Sequence, residues 1–232
     1  MARHTLSSFE QLWNRREQLY SEVFSAALLD LAERDSVSGN EDAISEVLCL
    51  ILNRICFNFG KSRNLEVPTP YWEPPIQPVS ADELKGGKSK KRPDFTCKVI
   101  NPWADSSEEH EISLHVECKL LGHPTSTTWI LNENYVQNGI KRFDSITHEY
   151  GKRAYSGMMI GYIISMTPKD IETEVNYYQK RHLSDNEEIK FVFDEAALFK
   201  TQQSITRKSV KPVHFKLIHF WIDLRTCYHH QG

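Results

Sequence analysis

Ser113-Leu114-His115-Val116-Glu117-Cys118-Lys119-Leu120 sets three polar side chains at alternate positions inside an otherwise apolar run. Successive side chains of a strand point to opposite faces, so Leu114, Val116, Cys118 and Leu120 share one face and His115, Glu117 and Lys119 the other. A carboxylate and an ammonium then stand together in mid-strand. Burying both is costly unless each other, a metal ion or a water-filled cavity compensates them. The segment is expected to be a sheet strand, spanning 112–121, that carries chemistry.

Immediately upstream, Arg92-Pro93-Asp94-Phe95 opens a second expected strand, 93–100, joined to the first through an acidic connection around Asp105, Glu108, Glu109 and Glu111. If the two strands are neighbours, Asp94 approaches Glu117 on one face. Adjacent carboxylates repel, and a hard divalent cation is the usual remedy. Mg²⁺, with Mn²⁺ able to substitute, would take oxygens from both and keep positions for a phosphate oxygen and a water. Lys119 would orient or help deprotonate that water and offset charge growing on phosphorus. These are the parts that metal-assisted phosphodiester hydrolysis needs.

Working outward, apolar residues recur at helical spacing over 6–34 and again over 41–59, where Gly60 is expected to end the second helix. Five prolines in 67–78 favour an edge strand or an extended loop. Lys85 to Arg92 reads as a mobile basic loop. Further elements are expected as a helix over 134–150, a buried strand over 158–164, a helix from Pro168 to about 181, and strands at 189–193 and 214–224. Such an order predicts an α/β fold with a mixed central β-sheet flanked by helices. One domain over 1–232 accommodates it, with an N-terminal helical segment (1–38), a core (39–165) and a C-terminal helix and strands (166–232) completing the sheet.

Pro93-Asp94 followed by Glu117-Cys118-Lys119, in this order of elements, resembles the PD-(D/E)xK nuclease superfamily over roughly residues 39–165. The resemblance implies a restriction-endonuclease-like sheet and a nuclease active site. Asp94 and Glu117 would bind the metal, the main-chain carbonyl of Cys118 would add a ligand, and Lys119 would assist the water. A glutamate of the preceding helix often completes such a site; Glu41 is the candidate and Glu46 the fallback. Tyr135 to Phe143 is similar to the helix that follows the motif in defence-associated members, which implies an endonuclease in a restriction or anti-phage setting. DNA is the implied substrate, with RNA left open. A homodimer or a partner ATPase or helicase subunit would supply the target selection that no visible reader module provides.

Other readings stand beside these. Glu117 and Lys119 could form a cross-strand ion pair on a solvated face, and Asp94 could be a turn residue. Glu41 could serve only the start of its helix, and His115 could be a hydrogen-bonded spacer or a substrate contact. Lys88, Lys90, Lys91 and Arg92 are candidates for phosphate contact, as are Lys141 and Arg142, although the last two read individually as surface charges. Cys227, His229 and His230 lack partners for a zinc site, so a frayed tail is expected there. Trp221 and its aromatic neighbours read as core.

The formal net charge of −3 requires that any nucleic-acid affinity come from a local basic surface, which disfavours a passive DNA coater. Five cysteines without a CxxC pair fit a reducing cytoplasm. No secretory signal or membrane span is expected from the apolar runs. A non-catalytic binding or assembly subunit with the same fold is the alternative from another class.

Overall fold

The computed structural model describes residues 7–85, 87 and 90–229. Its elements in chain order are α1 (Ser8–Ala32), β1 (Val37–Ser38), α2 (Glu41–Arg63), β2 (Tyr71–Trp72), α3 (Ala81–Lys85), β3 (Phe95–Ile100), α4 (Ser107–His110), β4 (Glu111–Leu121), α5 (Leu131–Gln137), a 3-10 turn (Ile140–Asp144), β5 (Ser156–Ile163), α6 (Pro168–His182), β6 (Leu198–Thr206), β7 (His214–Asp223) and β8 (Tyr228–His229). A six-stranded mixed sheet runs β2-β3-β4-β5-β7-β6 among the described residues. β4 lies inside it, antiparallel to β3 and parallel to β5. This is the α/β architecture expected from the sequence, with helices packed on the sheet.

Alternation along β4 sorts the two layers. Cys118 and its neighbour Ile160 lie on the layer of α1 and α2, where Phe24 meets Phe95 edge-on, Trp13 donates from Nε1 to Ser156 Oγ at 2.9 Å and Ser45 bonds Tyr162 at 3.1 Å. Met159 and Trp221 lie on the opposite layer, against Gly139 and Tyr135 respectively. α5 packs there on β4 and on α6. The N-terminal helix is therefore part of the sheet's own core, burying Phe9, Trp13, Tyr20, Val23, Phe24, Ala27, Leu28 and Leu31. Trp221 is fully buried, as the sequence suggested.

Four sequence expectations need correction. The helix expected over 134–150 breaks at Asn138-Gly139. A Cβ on Gly139 would sit 2.3 Å from the Tyr135 carbonyl oxygen and 2.5 Å from Met159, so the chain pivots there and re-enters as a 3-10 turn. Residues 189–193 do not form a strand. Both backbone groups of Ile189 are taken by the side-chain amide of Asn176 on α6, at 2.7 and 2.8 Å. The strand at that edge is β6, paired antiparallel with β7 from Leu198 to Thr206. The third correction concerns the tail, since Tyr228–His229 pair with β1 and Cys227 is buried; His230 lies outside the described residues. Finally, α2 runs past Gly60 to Arg63 and ends on Asn64, which adopts the left-handed conformation at φ 50°.

α2 is also long and apolar enough to cross a membrane by length and composition, its most apolar 18-residue window having a mean hydropathy of 1.4. Its stripe Ile44, Leu48, Ile51, Leu52 and Cys56 is buried in this fold.

Trp13 fills the junction of α1 with the sheet, and its loss would leave both a cavity and an unpaired Ser156 hydroxyl. Trp13→Ala is expected to destabilise the fold by about 3–5 kcal/mol, the usual cost of removing a buried large aromatic. Urea unfolding followed by circular dichroism would measure it, and a change near zero would contradict this packing.

Candidate active site

Three elements that are distant in sequence bring three carboxyls together. Asp94 precedes β3, Glu117 lies in the middle of β4 and Glu41 is the first residue of α2. The start of α2 is fixed by Gly39, whose φ of +97° suits a residue without a side chain, and by Asn40, whose side chain accepts from Ala43 N at 3.0 Å. Tyr228 adds a bond from its hydroxyl to the Gly39 carbonyl at 2.8 Å, so the C-terminal strand helps to hold Glu41 in place. One oxygen from each of Glu41, Asp94 and Glu117 lies within 4.8 Å of the others. Glu46, the fallback, is exposed and stands outside this cluster.

Lys119 occupies the centre. Its Nζ donates to Glu117 Oε1 at 2.7 Å, to Glu41 Oε1 at 2.6 Å and to the Cys118 carbonyl at 2.6 Å. Asp94 Oδ2 accepts the Cys118 backbone N–H at 2.5 Å, just past the end of the β3–β4 pairing at Phe95 and Val116, which draws the carboxylate onto β4. Arg142, carried in by the 3-10 turn, donates from Nη1 to Glu117 Oε1. Glu117 Oε2 is buried without a hydrogen-bond partner.

Charge explains the ionisation of this cluster. Three carboxyls face two cations, Lys119 and Arg142. Burial, then the charge of Asp94, pushes Glu117 up to about 8. Burial also raises Asp94 and Glu41 above the ordinary carboxylate range, against the pull of Lys119. For Lys119 itself burial favours the neutral amine, but Glu117, Glu41 and Asp94 together outweigh it and hold the ammonium above its ordinary value.

A hard cation fits this donor set. All the available groups are oxygens, one buried carboxylate oxygen is unpaired, and the trio resists ionising together without added positive charge. Glu41, Asp94 and Glu117 could hold such an ion, with the Cys118 carbonyl at their side.

The structure places the other sequence candidates differently. Lys88 lies outside the described residues. Lys90 and Lys141 are exposed and take no part in the cluster, and Arg92 donates to the Glu73 carbonyl at 3.2 Å. Lys91 is near enough to His148 to act, with burial and Arg142, in lowering that imidazole to about 4. Arg142 is not the surface charge it resembled in sequence. His115 is buried, its Nδ1 accepting from Gly151 N at 2.9 Å, and burial lowers it to about 4. Tyr150, which the sequence reading did not single out, packs its ring between His115 and His148 at 5.3 and 5.5 Å. The only hint in the sequence was the polar composition of Thr147-His148-Glu149-Tyr150, unusual for the buried end of a helix.

Comparison with protein-family models, curated proteins and solved structures finds no match to this chain.

With Glu117 near 8 in the folded chain and near 4.5 when unfolded, the folded state keeps a proton that the unfolded state has released between those values. Stability therefore falls as pH rises through that window. Thermal melts in EDTA are expected to show a midpoint that drops from about pH 5 to about pH 8. Added Mn²⁺ should stabilise more at the upper end, where it displaces less proton, and Glu117→Gln should flatten both trends. A midpoint insensitive to pH, or an equal metal effect in Glu117→Gln, would contradict the assignment.

Proposed function

We propose that this chain is a divalent-metal-dependent nuclease of restriction-endonuclease-like architecture, hydrolysing phosphodiester bonds in DNA. The observation that carries the reading is the convergence of Glu41, Asp94 and Glu117 around Lys119, with an unpaired buried oxygen on Glu117. A mixed sheet with the Glu-x-Lys strand inside it, a helix supplying Glu41 and a cation supplied by the following turn support the same reading. The endonuclease activity and the defence setting rest on resemblance alone, that of Pro93-Asp94 and Glu117-Cys118-Lys119 and that of Tyr135 to Phe143.

Mg²⁺ bound by Glu41, Asp94 and Glu117 would polarise a phosphodiester oxygen and make a water more acidic. Lys119 is a cation at neutral pH and offers no lone pair, so its part is to donate hydrogen bonds to water or phosphate and to stabilise developing negative charge. Arg142 supplies a second positive charge beside Glu117, a geometry suited to an equatorial phosphate oxygen. Asp94, held by Cys118 N, keeps one oxygen committed to the backbone and presents the other.

The ion pairs already made by Lys119 favour a second reading, a charge-balanced structural cluster in a non-catalytic assembly subunit. That reading expects binding without cutting.

Purified protein incubated with linear, circular and single-stranded DNA and with RNA is expected to cut in Mg²⁺ or Mn²⁺ and not in EDTA. Asp94→Asn should lose cutting with the fold retained. Lys119→Met should lower the rate roughly 10²–10⁴-fold, the range for a group that acts on the transition state, and Arg142→Met should lower it less. Full activity in Asp94→Asn would sink the nuclease reading.

A further inference from the structure

A cavity of about 470 Å³ opens on the sheet face that carries Glu117, one row of side chains further along. Its floor is built in register: Tyr71 pairs with Thr96, Thr96 with His115, and Lys98 with Ser113. Same-face neighbours along a strand are about 6.6–6.8 Å apart, so His115 on the floor and Glu117 in the carboxylate cluster are separated by a single such step. The volume falls in the range of small-ligand sites, roughly 300–1,000 Å³.

The chemistry of the cavity is specific. Thr96 is 4% exposed, yet its Oγ1 has no hydrogen-bond partner. A buried hydroxyl without a partner is uncommon, and this one lines the cavity. Beside it, His115 accepts on Nδ1 from Gly151, which leaves the proton on Nε2 as a donor. The walls are apolar, formed by Pro74, Pro75, Ile76 and Val79, and the half-exposed ring of Tyr71 stands at the mouth.

The cations of the rim are already matched by carboxylates. Lys98 pairs with Glu111 at 2.8 Å, Lys152 with Glu83 at 2.6 Å, and Arg153 with Glu83 and Glu108 at 3.0 and 3.1 Å. A phosphate would have to displace one of these pairs. A flat, uncharged heterocycle would not, since it can lie against Tyr71 and the prolines and present its edge to Thr96 and His115.

We propose that this cavity receives one unstacked nucleobase of the substrate strand, next to the phosphodiester held at Glu41, Asp94 and Glu117. The assignment rests on the nuclease reading and adds to it a source of base preference within the chain itself. Taking a base out of the stack is least costly in single-stranded or mismatched nucleic acid, so such substrates are preferred.

The test is a set of oligonucleotides in which each position flanking the cut is replaced in turn by an abasic residue or by 2-aminopurine. One position is expected to matter, its abasic form being cut on the order of ten-fold more slowly, as loss of one stacked and hydrogen-bonded base would give. Thr96→Val, which keeps shape and burial, and Tyr71→Leu, at an exposed position, should each slow cutting of the intact strand by a similar factor. Neither should add to the abasic defect, because both remove the same interaction. Cutting that is indifferent to abasic replacement at every position, or losses that multiply, would overturn the pocket and leave the nuclease standing. If no nucleic acid is cut at all, the nuclease reading fails. The fluorescence of 2-aminopurine strands on binding then decides the pocket by itself: a change at one position, absent in Tyr71→Leu, supports it, and no change overturns it.

Discussion

A carboxylate with no exposed surface sits in the middle of a central strand, and most of the site can be understood as compensation for it. Glu117 has Val116 and Cys118 on either side, both buried, and lies beside Met159 of β5, one residue past the end of the β3 pairing at Val116. Solvent cannot supply the hydrogen bonds it loses on burial. Lys119 and Arg142 reach the same oxygen, Oε1, and the second oxygen receives nothing from the protein. Compensation is thus incomplete, and the raised pKa of all three carboxyls, each made harder to ionise by burial, is its electrostatic signature.

Several distant parts of the chain are arranged by this one requirement. Arg142 reaches Glu117 only because the chain turns at Gly139, where any side chain would collide with Tyr135 and Met159. Glu41 reaches Lys119 because Gly39 and Asn40 start α2 at that point, and the Tyr228 hydroxyl braces the turn from the far end of the sequence. Beneath the cluster, Ser45 and Tyr162 tie α2 to β5 on the opposite layer of the sheet. The site therefore depends on long-range packing, although its motif is confined to a few residues.

What could be read from the sequence follows the range of the forces involved. β4 and the face shared by His115, Glu117 and Lys119 were legible because strand alternation is local and the polar residues interrupt an apolar background. The pairing of β3 with β4 was legible for the same reason, and with it the approach of Asp94. Gly139 was not legible as a break, since a glycine in a helical pattern is tolerated unless a neighbour crowds it, and the crowding residue, Met159, lies on another strand. β6 was missed because its inward residue Gln203 is polar. Its amide is satisfied by Gln179 and the Glu187 carbonyl, and its oxygen lies 3.1 Å from His219, contacts that no local pattern announces. Residues 189–193 showed the converse error, an apolar run whose backbone is bonded by a side chain instead of a neighbouring strand.

Position along β4 also divides the labour of the sheet face. Toward the C-terminal end the strand carries Glu117 and Lys119, where charge is concentrated and hydrogen-bonding capacity is left over. Toward its start the same face carries Ser113 and His115, opposite Lys98 and Thr96, where the polar groups are neutral or already paired. A hard cation, and through it an anionic oxygen, would be favoured at the first position and an uncharged ring at the second. A nucleotide has both parts, an anionic phosphate and an uncharged ring, joined by its sugar. Under the proposed function, the alternation that puts His115 and Glu117 on one face, two residues apart, sets the spacing of the cluster and the cavity, while the walls of each come from elsewhere in the chain: Glu41 and Arg142 for the cluster, Pro74 to Val79 for the cavity.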